Sequence, residues 1–226
     1  MAHELEELPL FPLNTVLFPY ASLHLHIFED RYREMIRMCL REDRPFGVVL
    51  IREGSEVGDA EPYMVGTACR IKEVRTYDDG RMDIAVQGER RFRIREMDDS
   101  LPYLMGRVEP VIEHEIEESD RADELLRRAR DEFEALIRRA IEREEVRVRV
   151  VFPSDPVVLS FTIANLLQME NLQKQRLLET TDTLERMEDL IPVLEQQIYE
   201  AGLLSPSETG FHRLSGTDLQ EWIHPN

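Results

Sequence analysis

Hydrophobic and polar positions follow a period of two in the first half of the chain and a helical period in the second. From Ser22 to Phe28, Leu23, Leu25 and Ile27 fall on one side and His24 and His26 on the other, which predicts a half-buried strand. Phe46 to Ile51 is a nearly continuous apolar run of strand length. Phe92 and Ile94 alternate inward within a strand over Arg90–Met97, and Tyr103 to Ile112 predicts another. The pieces Leu8–Leu13 and Thr15–Phe18 are apolar but carry prolines, which cannot donate to a ladder, so they suit edge strands or barrel corners.

One helix interrupts these strands. Tyr32, Met35, Ile36, Cys39 and Leu40 share a face, and Asp30 is placed to cap the first turn. A turn-rich loop over Glu53–Pro62 then leads into VGTACRIKEVRTYDDGRMDIAVQGERRFRIR, residues 65–95. Two β-branched-rich runs there flank Asp79-Gly80, a dipeptide that accepts the positive φ of a tight hairpin.

From Asp120 to about Glu144 the apolar positions Ala122, Leu125, Leu126, Ala129, Phe133, Leu136, Ile137, Ala140 and Ile141 form a wide helical stripe. Asp123–Arg127, Glu124–Arg128 and Glu134–Arg138 are spaced as surface pairs. Asp155-Pro156 opens a second helix with an acidic cap and a proline at its first position. Val157–Leu167 is apolar on nearly every side and is expected to be the most buried helix. A third segment spans Leu172–Glu179. A fourth begins near Thr181 or Asp182, with Leu184, Met187, Ile191, Leu194 and Ile198 at 3–4–3–4 spacing, Pro192 inside it and Gly202 as its expected stop.

The expected class is therefore α+β: a partly closed β-barrel-like domain with one short helix over residues 1–116, then an α-helical bundle over 117–202. Residues 203–226 read as an irregular tail, in which Thr217–Gln220 can form one capped turn carrying Trp222.

Composition narrows the function. The 226 residues are 42% hydrophobic and 33% charged, with a net charge of −18. That acidic field disfavours nucleic acid and anionic lipid as partners. No apolar run reaches the eighteen residues that would suggest a membrane span, and the N-terminus lacks the basic start and apolar core of a secretory signal. Cys39 and Cys69 sit apart in apolar settings and read as inert, reduced thiols, so a cytoplasmic protein is expected.

Candidate chemistry is sparse. There is no phosphate-binding G-x-x-x-x-G-K-[ST] loop and no G-x-S-x-G elbow, and Lys72 and Lys174 are the only lysines against 26 arginines. Ser154 and Ser160 read as turn and packing residues. His24 and His26 share a strand face as metal ligands do, but no Cys or His cluster adjoins them. Arg91, Arg93 and Arg95 lie on one side of a strand; flanking acids favour a salt-bridged face over a phosphate track. No enzyme, cofactor or metal site is expected.

Two segments resemble the N-terminal region of the ATP-dependent Lon proteases. LPLFPLNTVLFP followed by HIFEDRYREMI, with the 65–95 hairpin, resembles its β-rich domain, whose outline is PUA-like. DPVVLSFTIANLLQMENLQKQRLLETTDTLERMEDLIPVL resembles its helical part. The resemblance covers about residues 7–200 and implies binding of unfolded or hydrophobic polypeptide. The ATPase and peptidase modules of such enzymes need several hundred more residues, so a non-catalytic adaptor or holder, monomeric or weakly dimeric, is expected, serving an ATP-dependent protease in trans. The Phe18-Pro19-Tyr20 turn, with aromatics where glycine or polar residues are usual, is the candidate binding site; the alternative is that Phe18 and Tyr20 fold back over the barrel mouth. A small ATP-independent hydrolase and an RNA-binding module are the rival readings.

Overall fold

The computed structural model describes residues 5–56, 60–142, 149–150, 152–203 and 223–224. The elements run β1 (Glu6–Leu13), β2 (Ser22–Ile27), α1 (Asp30–Glu42), β3 (Phe46–Gly54), β4 (Ala60–Pro62), β5 (Val65–Thr76), β6 (Met82–Asp98) and β7 (Met105–Pro110). They continue with α2 (Asp120–Glu142), β8 (Arg149–Val150), α3 (Pro156–Leu166), α4 (Asn171–Glu179), α5 (Thr183–Leu203) and β9 (Ile223–His224). An α+β fold follows, with a strand-rich first half and four helices in the second.

The main sheet has seven strands in the order β1-β7-β6-β5-β3-β4, with β2 added to β6. A further parallel pairing of β1 with β3 brings the two ends together into a near-barrel ring. The double role of β1 explains its prolines. Glu6–Pro9 pairs with β7 and Leu10–Leu13 with β3, so the strand changes partner at its middle, and each half can spare a donor. Thr15–Phe18 is not a strand. The chain there runs irregularly, yet Val16, Leu17 and Phe18 are buried.

Leu8, Leu10, Val49, Ala68, Phe92, Ile94 and Val108 pack together inside the ring, with Leu104 against them. Burial of Phe92 alone is worth about 2–3 kcal/mol. The β5–β6 hairpin turns over Tyr77–Arg81: the Gly80 N–H donates to the Tyr77 carbonyl at 2.9 Å, and Gly80 has φ 85°. Gly80 alone of the Asp79-Gly80 pair uses the left-handed region, as in a three-residue loop closed by a glycine bulge. Helix α1 buries Tyr32, Met35, Ile36 and Cys39 as its spacing predicts. Leu40 instead remains exposed at the stripe's edge. The N-cap is Glu29 rather than Asp30, which lies in the first turn and pairs with Arg33.

The described residues cluster into two compact units, Met1–Glu113 with Gln168–Thr181, and His114–Leu167 with Asp182–Asn226. In the first, α4 lies against the β ring. Gln175 Nε2 donates to the Val65 carbonyl at 3.0 Å, and Asn171 Nδ2 to the Asn14 carbonyl at 2.7 Å.

The second unit packs α2, α3 and α5. Asp155 accepts a hydrogen bond from the Val158 N–H, with Pro156 at the first helical position, so α3 starts as its sequence predicts. Leu159 to Ala164 are all buried. Arg186 of α5 is buried with them, donating to Ser160 Oγ at 2.8 Å and Thr183 Oγ1 at 3.0 Å while its guanidinium lies 4.1 Å from the Phe161 ring centroid. Of the predicted surface pairs, Arg127 takes Asp131 and Arg128 reaches Glu195 of α5. Pro192 sits on the exposed side of α5. Gly202 does not stop the helix, which continues to Leu203. The expected tail lies outside the described residues except for Ile223–His224, which pair with Arg149–Val150.

Candidate functional site

The Phe18–Ala21 turn is fastened to β6 through Gly88. The Tyr20 N–H donates to the Gly88 carbonyl and the Gly88 N–H to the Ala21 carbonyl, both at 2.9 Å, while the Ala21 N–H closes the turn on the Phe18 carbonyl at 3.2 Å. A Cβ on Gly88 would overlap the Phe18 carbonyl oxygen, so only glycine lets the two backbones approach this closely. Thr67 Oγ1 donates to the Leu17 carbonyl at 2.5 Å from inside the ring. Of the three candidate residues, Phe18 and Pro19 are buried. Tyr20 is the one whose side chain reaches solvent, at 40% exposure, from a left-handed backbone with φ 68°.

His24 and His26 project from the exposed side of β2. His26 Nδ1 lies 2.6 Å from Asp83 Oδ1, and the Tyr77 hydroxyl donates to the other carboxylate oxygen. These two partners, His26 first, hold the Asp83 carboxyl below its usual range, and the Asp83 carboxylate raises the Tyr77 hydroxyl. Among the described residues no group of three or more His, Cys, Asp or Glu side chains is placed to hold a metal. A cleft of about 450 Å³ lies here, lined by His24, Glu73, Arg75 and Asp83 with Ala85 among them. Among the described residues β2 pairs only with β6, so its outer edge carries no strand.

Of the alternating arginines Arg91, Arg93 and Arg95 on β6, the first and last differ in role. Arg91 is buried, and its guanidinium donates to the Leu178 carbonyl at 2.6 Å, the Thr180 carbonyl at 2.7 Å and Glu113 Oε1 at 2.5 Å. It holds the C-terminal end of α4, where the helix leaves carbonyls to be satisfied and favours a cation. Arg95 is exposed and pairs with Glu109. The salt-bridged reading therefore holds for Arg91 and Arg95, with Arg91 acting as an internal clamp.

A second cleft, of about 420 Å³, opens where β4 and the end of β6 part. Glu53, Glu61 and Pro62 line one side, and Met97, Asp99 and Leu104 the other. Sequence reasoning missed it because it assigns residues 53–62 to a loop. Met97, which lines the cleft and is exposed, was the available signal.

Ser160, Cys39 and Cys69 are buried. Ser160 Oγ donates to the Val157 carbonyl and accepts from Arg186. Burial pushes the Cys39 thiol up to about 11 and raises that of Cys69 well above the ordinary value. No helix among the described residues is long and apolar enough to cross a membrane.

The architecture is thus a near-barrel β ring followed by four helices. The chain belongs to the ATP-dependent protease La (LON) substrate-binding domain family, whose model matches residues 7–196. It is similar to the Lon protease of Heliobacterium modesticaldum, with 30% identity over 200 residues that make up 86% of this chain and 24% of that protein. It is similar also to the Lon protease of Escherichia coli K12, with 27% identity over 198 residues, 85% of this chain and 25% of the relative. The chain thus spans about a quarter of the length of these relatives. Among solved structures, the Lon N-terminal domain protein from Xanthomonas campestris matches with a TM-score of 0.61 and 29% identity, covering 83% of this chain and 98% of that one. The N-terminal domain of a Mycobacterium avium complex Lon protease shares the fold, with a TM-score of 0.65 at 22% identity over 84% of this chain and 98% of that one.

Proposed function

We propose that this chain binds unfolded or apolar polypeptide segments without cleaving them, as an adaptor or holder that presents them to an ATP-dependent protease in trans. The observation that carries the reading is the match of residues 7–196 to a substrate-binding domain. Three local features support it. Tyr20 offers an exposed aromatic on a rigid turn. The outer edge of β2 offers backbone groups for strand addition. The exposed Met97 in the second cleft offers adaptable apolar surface.

Gel filtration of the chain with a fluorescent, permanently unfolded polypeptide tests this proposal. Co-elution of the intact polypeptide without nucleotide is expected, while the folded form of the same polypeptide elutes alone. Separate elution of the unfolded form, or its conversion to fragments, overturns the reading.

A further inference from the structure

The second cleft is a place where the β ring is unzipped. The β5–β6 ladder runs to Val65↔Arg93 and ends with one more bond, from the Ile94 N–H to the Met64 carbonyl at 2.8 Å. Beyond it, among the described residues, Ala60–Pro62 pairs only with β3, and Glu96–Asp98 only with β7. Two strand edges therefore flank the cleft with backbone groups that no strand takes up. Unpaired edges are ordinarily covered, charged or shortened because they template pairing with another chain.

Charge says what fits between them. Several acids of these strands have arginine partners: Glu61 with Arg52, Glu96 with Arg107 and Glu109 with Arg95. Glu53 and Asp99, which both line the cleft, take part in no ion pair among the described residues. Pro62, Met97 and Leu104 supply the cleft's apolar lining, and Met97 is 45% exposed. Glu53 shares the electrostatic reach of Arg52, which pairs with Glu61, so the two carboxylates outnumber the cation beside them. Apolar lining next to such carboxylates favours a cationic group carried on a segment that also buries an apolar side chain.

We propose that an extended polypeptide segment enters this cleft as an added strand, with a lysine or arginine two positions from an apolar residue. The spacing follows from the pleat: successive side chains of a strand point to opposite faces, so residues i and i+2 enter the same cleft and i+1 does not. The basic residue meets Glu53 and Asp99, and the apolar one meets Met97 and Leu104. This inference rests on the polypeptide-binding reading and adds to it the class of segment preferred.

The test is fluorescence anisotropy with four short labelled peptides of equal composition outside the test positions. One carries Lys at i and Leu at i+2, one Lys at i and Leu at i+1, one Glu at i and Leu at i+2, and one Lys at i and Ser at i+2. The Lys–x–Leu peptide is expected to bind about three- to tenfold more tightly than the others, the scale of one or two exposed charge pairs plus a partly buried side chain. Glu53→Gln with Asp99→Asn is expected to bring the Lys and Glu peptides within about twofold of each other, and added salt to do the same. Met97→Asp, at a half-exposed position of the β6–β7 ladder, is expected to remove the Leu preference while thermal unfolding shows the variant folded. Hydrogen exchange at Ala60–Glu61 and Glu96–Asp98 is expected to slow when the peptide is added. Equal affinity for all four peptides, with the unfolded polypeptide still retained, overturns the cleft assignment and leaves polypeptide binding standing. Failure to bind any peptide or the unfolded polypeptide overturns both.

Discussion

Arg91 Nη1 donates to the carbonyl of Leu178 at 2.6 Å, joining residues 87 positions apart in the chain. The same guanidinium reaches Thr180 and Glu113, so one side chain ties the end of α4 and the segment after β7 to the middle of β6. Removing it takes away one hydrogen-bond donor from each of two carbonyls and a carboxylate in a mostly buried site. Arg91→Ala is expected to cost about 3–4 kcal/mol in urea unfolding, and Arg91→Lys more than about 1.5 kcal/mol, because an ammonium cannot reproduce the planar fork. A loss below about 0.5 kcal/mol for the alanine variant would show that the clamp contributes nothing net.

Gly88 and Gly80 differ in why they are glycine, and substitution separates the reasons. At Gly88 an added Cβ meets the Phe18 backbone. Gly88→Ala is expected to cost about 2–3 kcal/mol and to loosen the Phe18–Ala21 turn. At Gly80 the constraint is φ 85° in an exposed hairpin, so Gly80→Ala is expected to cost about 1 kcal/mol, with the turn preserved. Thermal unfolding of the two variants checks the order, and an equal or reversed cost contradicts the close-approach argument.

These two positions also show what can be read from a sequence and what cannot. Asp79-Gly80 and Asp155-Pro156 act within a few residues of themselves, and both the hairpin and the capped start of α3 were legible. The alternation of β2 and the buried stripe of α1 were legible for the same reason. Gly88 is glycine because of a backbone that lies near it in space and not in sequence. Arg91 looks like one more charge on a strand until Leu178 and Glu113 arrive from distant segments. The ring closure through β1 depends on a strand with two partners, which no local period encodes. The second cleft exists because β4 and β6 separate after Met64 and Ile94, again a non-local event. Of the candidate site, the turn itself was legible. Composition left open whether Phe18 and Tyr20 project or fold back over the barrel mouth; Phe18 is buried and Tyr20 is exposed.

Tyr20 holds a left-handed backbone that costs a non-glycine residue about 1 kcal/mol. Tyr20→Gly is therefore expected to raise stability by about 0.5–1 kcal/mol. If the exposed ring meets bound polypeptide, the same variant weakens retention of an unfolded chain, by roughly the threefold to tenfold typical of a partly buried aromatic contact. Urea unfolding and anisotropy on one preparation measure both. Unchanged binding would remove Tyr20 from the recognition surface.

Burial keeps both thiols neutral in the folded chain, Cys39 up to about 11 and Cys69 well above its ordinary value. In the unfolded chain they ionise from about pH 8.5. Between about pH 8.5 and 11 the unfolded state binds fewer protons than the folded one, so these thiols make stability fall as pH rises through that window and leave it unaffected below. Urea midpoints from pH 7 to 11 are expected to decline less in a Cys39→Ala, Cys69→Ala variant. Labelling of either thiol in the native chain at pH 8 as fast as a free cysteine would contradict the burial argument.

The most direct test of the account compares one polypeptide in two states. Its permanently unfolded form, titrated with this chain at physiological salt and without nucleotide, is expected to give saturable binding in the micromolar range, with every molecule recovered at full length. The folded form is expected to show none. Equal binding of both forms, no binding of either up to about 100 μM, or the appearance of fragments would contradict a surface that holds exposed chains and does not cut them.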